Sequence, residues 1–224
     1  MNIIGYFLII IITHIFINSL QIYYLFFWYI CQMKILLVVA THQEVIKDKF
    51  KDCKILITGI GMVNTSIQVT KELSKNKYNL VINMGVAGSF SKDYVIGDVV
   101  EVVEDNFSEL GFENGNDFEL FSDSEIVTKY SVESKTSLQK VKGITVNTVH
   151  GNDQSIDKII NRLNADVESM EGASIFKVCN EFGISCVQIR AISNNVEKRN
   201  KANWNMPLAI NNLNNQVAKI IMGL

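Results

Sequence analysis

From Met33 onward the chain alternates short, continuous apolar runs with amphipathic stretches, and that alternation leaves few folds open. A run such as "KILLVVA" (Lys34 to Ala40) has no polar face. A strand built from it must be covered on both sides, as strands of a parallel sheet are. Similar runs follow at Lys54 to Gly59, Asn79 to Gly85, Asp98 to Val103, Gly143 to Val149 and Ser185 to Ser193. Between them the spacing predicts helices over Met62 to Ser74 and Ser155 to Leu163, and a third after Met170 that stops at Gly183. Pro207, the only proline, suits the first turn of a closing helix. The pattern is that of an α/β fold, a mostly parallel sheet covered by helices. Glu104 to Asp123, acidic and without clear periodicity, reads as an irregular surface excursion.

With 224 residues, 48% of them hydrophobic, the chain can bury one sizeable core. Its formal net charge of -2 offers no surface for nucleic acid. Cys31, Cys53, Cys179 and Cys186 match neither a zinc site nor a redox CxxC, and read as reduced thiols of an intracellular protein. Residues 1–32 form an apolar leader distinct from a single domain over 33–224. Ile3 to Cys31 carries no charge and is long enough to span a bilayer. Two readings of it stand: an anchor holding the remainder in the cytoplasm, or an extension upstream of a start at Met33. Membrane association is expected only under the first.

In open α/β sheets, ligands bind beyond the carboxyl ends of the strands. The segments to inspect are therefore Thr41 to Glu44, Gly59 to Asn64, Gly85 to Ser89, His150 to Asp153, Glu168 to Gly172 and Ser193 to Asn195. Glu44 lies three residues after Thr41, which is also capping-box spacing. Glu171 opens a helix, where a carboxylate favours the positive end of the dipole. Both acids fall on the same sheet edge as several glycine turns, and that coincidence points to a site. "TGIGMVN" lacks the third glycine of a dinucleotide fingerprint, and no acid ends the strand that follows. No Arg or Lys accompanies these loops, so they suit a neutral, hydroxyl-rich ligand better than a phosphate. His150 reads as a surface or pocket-wall histidine. Arg190, inside an apolar strand, must find a carboxylate or carbonyls.

The ordered motifs "MKILLVVATHQEV", "TGIGMVNTSI", "VINMGVAGSF", "IGDVV", "ESMEGAS" and "VCNEFGISCVQIRAISN" resemble the nucleosidase branch of the nucleoside phosphorylase superfamily. That branch contains the methylthioadenosine/adenosylhomocysteine nucleosidases. Within it, "ESMEGA", "RAISN" and the tail from Asn194 to Asn214 are most similar to the futalosine hydrolases, which release hypoxanthine from futalosine in menaquinone biosynthesis. The resemblance implies a three-layer α/β fold with a mixed, mostly parallel central sheet flanked by helices. It implies an N-glycosidase acting on a small purine nucleoside and water, without metal or organic cofactor, and a homo-oligomer in the cytoplasm. A methylthioadenosine nucleosidase or a purine nucleoside phosphorylase is the alternative.

By the same resemblance Glu44 takes the place of the acid that activates water. Glu171 takes that of the acid binding the ribose hydroxyls, with Met170 beside it. Gly85, Ala87, Gly88 and Ser193 are expected to contact substrate, and Arg199 to pair with a carboxylate on the 5′ substituent. Asn194 stands where the adenine-specific relatives have aspartate. Its NH₂ group suits the oxygen at position 6 of hypoxanthine, and its carbonyl a protonated N7. The simpler reading is that Asn194 caps a turn after the strand. The partner that stacks on the purine falls near Gln154 and is left unassigned.

Overall fold

The structure, a computed structural model, describes residues 33–115, 117–121 and 125–224. The apolar leader lies outside them. Among the described residues no helix is long and apolar enough to cross a membrane.

Strand β1 (Ile35–Val39) pairs in parallel with β2 (Lys54–Ile57) and with β3 (Leu80–Ser89). Helix α1 (Met62–Lys75) makes the crossover between β2 and β3. Strands β4 (Val99–Phe107), β8 (Gln139–Thr145) and β10 (Ser185–Asn195) complete the centre of the sheet. β10 runs parallel to β3 and antiparallel to β4, and β4 runs parallel to β8. The sheet is thus mixed and mostly parallel, as expected.

Ring closure was not expected. Short β9 (Val167–Ser169) joins β8 in parallel and the end of β3 in antiparallel, so β3, β10, β4, β8 and β9 form a closed circuit. β3 can serve three neighbours because it is long: Leu80 to Asn83 face β1, while Gly88 and Ser89 on the same edge face β9. The glycine-bearing stretch after Gly85, expected as a loop, is therefore strand.

Two further expectations need correction. β4 extends through Phe107, and β5 (Gly111–Asn114) with β6 (Asp117–Leu120) makes a separate hairpin where an irregular excursion was expected. Its turn contains Gly115 at φ 68°, a conformation glycine adopts freely. β7 (Lys129–Ser131) adds to the edge of β4. β8 begins at Gln139 and ends at Thr145, earlier than the apolar run, because its polar half alternates and still pairs along β4 from Val100.

Helices cover both faces. α4 (Met206–Met222) packs Ala209, Leu213 and Val217 onto Leu37, Val39, Ile82, Met84 and Ile189. On the opposite face, α1 and α3 (Gly172–Glu181) pack Val69, Leu73, Phe176 and Cys179 onto Leu36, Val38 and Val81. Alternate residues of β1 serve opposite cores, which is why its sequence has no polar face. Each such side chain, fully buried, contributes about 1.5–3 kcal/mol of transfer free energy. α2 (Asp153–Leu163) is capped by Asn152, which accepts from the amides of Gln154 and Ser155. α3 ends ahead of Gly183, at φ 62°, as the sequence predicts. Cys179 and Cys186 are buried free thiols and Cys53 is half-buried; Cys31 lies outside the described residues.

Candidate active site

Beyond the carboxyl ends of β1, β3 and β10 lies a cavity of about 400 Å³. Glu44, Glu171, Met170, Ala87, Gly88, Ser193, Asn194 and Arg199 all line it. These segments are far apart in sequence, and the crossovers of the sheet bring them together.

Glu44 ends a single 3-10 turn after β1 and is buried. Its Oε2 accepts from the Thr41 amide at 2.9 Å and the Thr41 hydroxyl at 3.2 Å, and its Oε1 from the Val86 amide at 3.3 Å. The capping-box reading and the site reading are therefore both present in one side chain. The box fixes the carboxylate while leaving it on the cavity wall.

Glu171, at the start of α3, accepts from the Gly61 amide at 2.9 Å. Gly61 has φ 93° and ψ 156°, which turns its N–H toward the carboxylate. Burial raises the Glu171 pKa, while the charge of Arg190 and the amides of Gly61 and Met170 oppose that shift.

Gly85 does not line the cavity. A Cβ there would lie 2.2 Å from Arg190 Nη1 and 3.0 Å from Glu44 Oε1. Its missing side chain admits the buried guanidinium beside the catalytic candidate. Arg190 is 1% exposed and donates from Nη2 to Asn83 Oδ1 at 2.6 Å. Its direct partner is thus an amide carbonyl, and Nε has none among the described residues. The charge still acts on buried Glu171 and Asp105 nearby.

Asn194 sits at the end of β10, after a register irregularity between Ile192 and Asn194. Its Oδ1 accepts from the Ser193 hydroxyl at 2.8 Å, and its Nδ2 donates to Asn195 O at 2.8 Å. The other N–H of the amide has no partner among the described residues. The local turn contact and a place on the cavity wall again coexist.

Arg199 is exposed at the rim, its guanidinium 5.3 Å over the ring of Trp204, which also lines the cavity. Gln154 is exposed and does not line it, so Trp204 and His150 are the aromatic rings on the wall. His150 and Glu168 are the pair that sequence reasoning missed. His150 Nδ1 lies 2.6 Å from Glu168 Oε2, and the His150 amide donates to Oε1 at 3.1 Å. "HGND" and "ESMEG" both read as strand ends, but nothing in their spacing says that they meet. Among the described residues no group of His, Cys, Asp and Glu could hold a metal ion.

Comparison with known proteins places this geometry in context. The family model described as Phosphorylase superfamily matches residues 40–222. Among curated relatives, futalosine hydrolase of Thermus thermophilus is 25% identical, with 74% of this chain and 80% of that protein covered. A 5′-methylthioadenosine/S-adenosylhomocysteine nucleosidase of Haemophilus influenzae is 31% identical, with 64% of this chain and 68% of the relative covered. Of solved structures, native futalosine hydrolase of Helicobacter pylori superposes with a TM-score of 0.75 at 18% identity, over 86% of this chain and 98% of that one. A mutant nucleosidase of the same organism, with 5′-methylthioadenosine in its active site, gives 0.76 at 18%, over 86% and 99%.

Proposed function

Since the chain belongs to the phosphorylase superfamily and is a nucleosidase that hydrolyses N-glycosidic bonds, we propose that its substrate is futalosine, cleaved to hypoxanthine and dehypoxanthine futalosine. The observation that carries this reading is the convergence of Glu44, Glu171 and an uncharged Asn194 on one cavity. Cleavage of the bond builds positive charge on the ribose, and a carboxylate beside the sugar stabilises it. Glu171 fills that role and accepts from the ribose hydroxyls. Glu44 takes the proton from the attacking water, an assistance worth about two to four orders of magnitude in rate.

Water rather than phosphate is supported as nucleophile by the wall itself. Among its described residues Arg199 is the one Lys or Arg, and it sits at the rim. Asn194 directs its free N–H to the oxygen at position 6, where an aspartate would repel it. Met170, Ala87, Gly88 and Ser193 shape the nucleoside pocket, Trp204 offers a face to the base, and Arg199 pairs with the carboxylate of the 5′ substituent. Gly85 acts indirectly, by making room for Arg190. We place the enzyme in the cytoplasm, as a homo-oligomer in which the exposed Ile60 on the cavity wall, with Val63 and Ile67 on the helix that follows, is covered by a second copy.

The test is to offer the full chain futalosine, inosine and methylthioadenosine, with and without phosphate, and to identify the released base by chromatography. Hypoxanthine from futalosine, independent of phosphate, is the expected result. Adenine release without hypoxanthine would overturn the substrate, and phosphate dependence would favour a phosphorylase.

A further inference from the structure

We propose that His150, oriented by Glu168, is the acid that protonates the departing purine at N7. This rests on the N-glycosidase reading above. When the C1′–N9 bond breaks, its electron pair enters the purine, and a purine anion leaves poorly unless a ring nitrogen gains a proton. Asn194 cannot supply that proton, because a carboxamide donates hydrogen bonds without releasing hydrogen ions in the ordinary pH range. Its carbonyl already accepts from Ser193, and its remaining N–H suits the oxygen at position 6. Glu44 and Glu171 are occupied with water and ribose. His150 and Glu168 are the titratable groups on the wall that the mechanism has not yet used.

The pair is built for the task. Glu168 is 5% exposed and receives both the ring Nδ1 and the main-chain amide of His150. A carboxylate so placed fixes the orientation of the ring and leaves Nε2 as its outward nitrogen. Phe90 packs edge-on against the imidazole at 6.1 Å between centroids. Nε2 has no hydrogen-bond partner among the described residues and is left to meet a ligand.

The sheet also sets the spacing. Gly88 is the ladder partner of Asn194 on one side and of Glu168 on the other. A Cβ on Gly88 would lie 3.2 Å from Asn194 Nδ2 and 3.6 Å from Glu168 Cγ. The two side chains thus converge over one glycine, as the chemistry requires, because the oxygen at position 6 and N7 are neighbours on one edge of the purine. A base seated over Gly88 can turn that one edge to both the amide and the acid pair.

In the step, the proton passes from Nε2 to N7 as the C1′–N9 electron pair moves into the purine. The water oxygen bonds to C1′ and gives its proton to Glu44. The products are neutral hypoxanthine and a sugar hydroxyl, with His150 neutral and Glu44 protonated. Exchange with solvent restores both. Besides Glu168, the charged groups that share the cavity with His150 are Glu44, Glu171 and Arg199.

The test compares wild type, His150→Gln and Glu168→Gln in the full chain, on futalosine and on a 7-methylated 6-oxopurine nucleoside, whose N7 takes no proton. In wild type, kcat/KM on futalosine should fall along a one-proton alkaline limb. His150→Gln should lose about 10²–10⁴-fold on futalosine and abolish that limb, with a much smaller loss on the 7-methyl substrate. Glu168→Gln should move the limb to lower pH, because the imidazolium loses its counter-charge. That shift decides the matter if His150→Gln does not fold. Undiminished activity in His150→Gln, an alkaline limb unchanged in either variant, or equal losses on both substrates would overturn the acid role alone. Failure of wild type to release any base would overturn the N-glycosidase reading itself.

Discussion

The Glu171 carboxylate is tied to the Gly61 amide, 2.9 Å away and 110 residues earlier in the chain. The contact locks the start of α3 to the loop after β2, and it depends on backbone that only glycine adopts without strain. Gly61→Ala meets no atom within 4 Å of its new Cβ, so its whole cost is conformational. It should destabilise by about 1–3 kcal/mol in denaturant unfolding. It should also lower kcat/KM, since relief of the strain turns the amide away from Glu171. A stability loss without any kinetic loss would separate Gly61 from the site.

Gly85→Ala tests the close approach of Arg190 and Glu44 to Gly85. The added methyl would press on the guanidinium from 2.2 Å, and a buried cation has nowhere to relax. Overpacking of this kind costs about 1–3 kcal/mol, occasionally more, and turnover should fall because Glu44 shares the contact. Thermal unfolding and steady-state kinetics on the same sample would show it. A variant as stable and active as wild type would mean that the guanidinium is free to move.

Asp105 gives the fold a pH dependence. Burial pushes its pKa up to about 6 from 3.8, against the hydrogen bonds from Gln188 and Thr145 and the charge of Arg190. The protonated form is therefore favoured in the folded state, and its stabilisation is complete below pH 3.8 and lost as pH rises through about 6. The difference amounts to about 1–3 kcal/mol. Asp105→Asn stays neutral, and once the Gln188 amide turns over, its new N–H can donate to Gln188 Oε1, which is buried and has no partner among the described residues. The variant should unfold at higher temperature than wild type above pH 6 and lose the wild-type dependence between 3.8 and 6. Identical melting profiles against pH would contradict this.

The same buried polar groups show why some of the molecule was legible in the sequence and some was not. The continuous apolar runs announced β1 and the body of β3 and β10, because burial on both faces removes every polar position. The carboxylates Glu44 and Glu171 could be named because the strand-end rule points to them. Ring closure through β9 could not, since Val167 to Ser169 is too short to carry a pattern and pairs with residues far away in sequence. The extension of β3 through its glycines was hidden for the opposite reason: Gly85 and Gly88 look like turn residues, yet they are there because Arg190, Asn194 and Val196 crowd them. Tertiary contact overrode propensity, and it also created the His150–Glu168 pair.

Asn194→Asp should shift which base is cleaved. A carboxylate facing the oxygen at position 6 repels it, and a loss of about 1–3 kcal/mol in transition-state binding is expected for futalosine. Adenine nucleosides should gain relative to futalosine in a competition assay read by chromatography. An unchanged ratio would leave Asn194 as a turn cap only.

The most direct measurement is the rate of hypoxanthine release from futalosine in phosphate-free buffer, by wild type and by Glu44→Gln, with the melting temperature of each recorded alongside. Wild type should release the base, and the variant should lose about 10²–10⁴-fold in rate while keeping its fold. Release that requires phosphate, or a Glu44→Gln enzyme as fast as wild type, would contradict this.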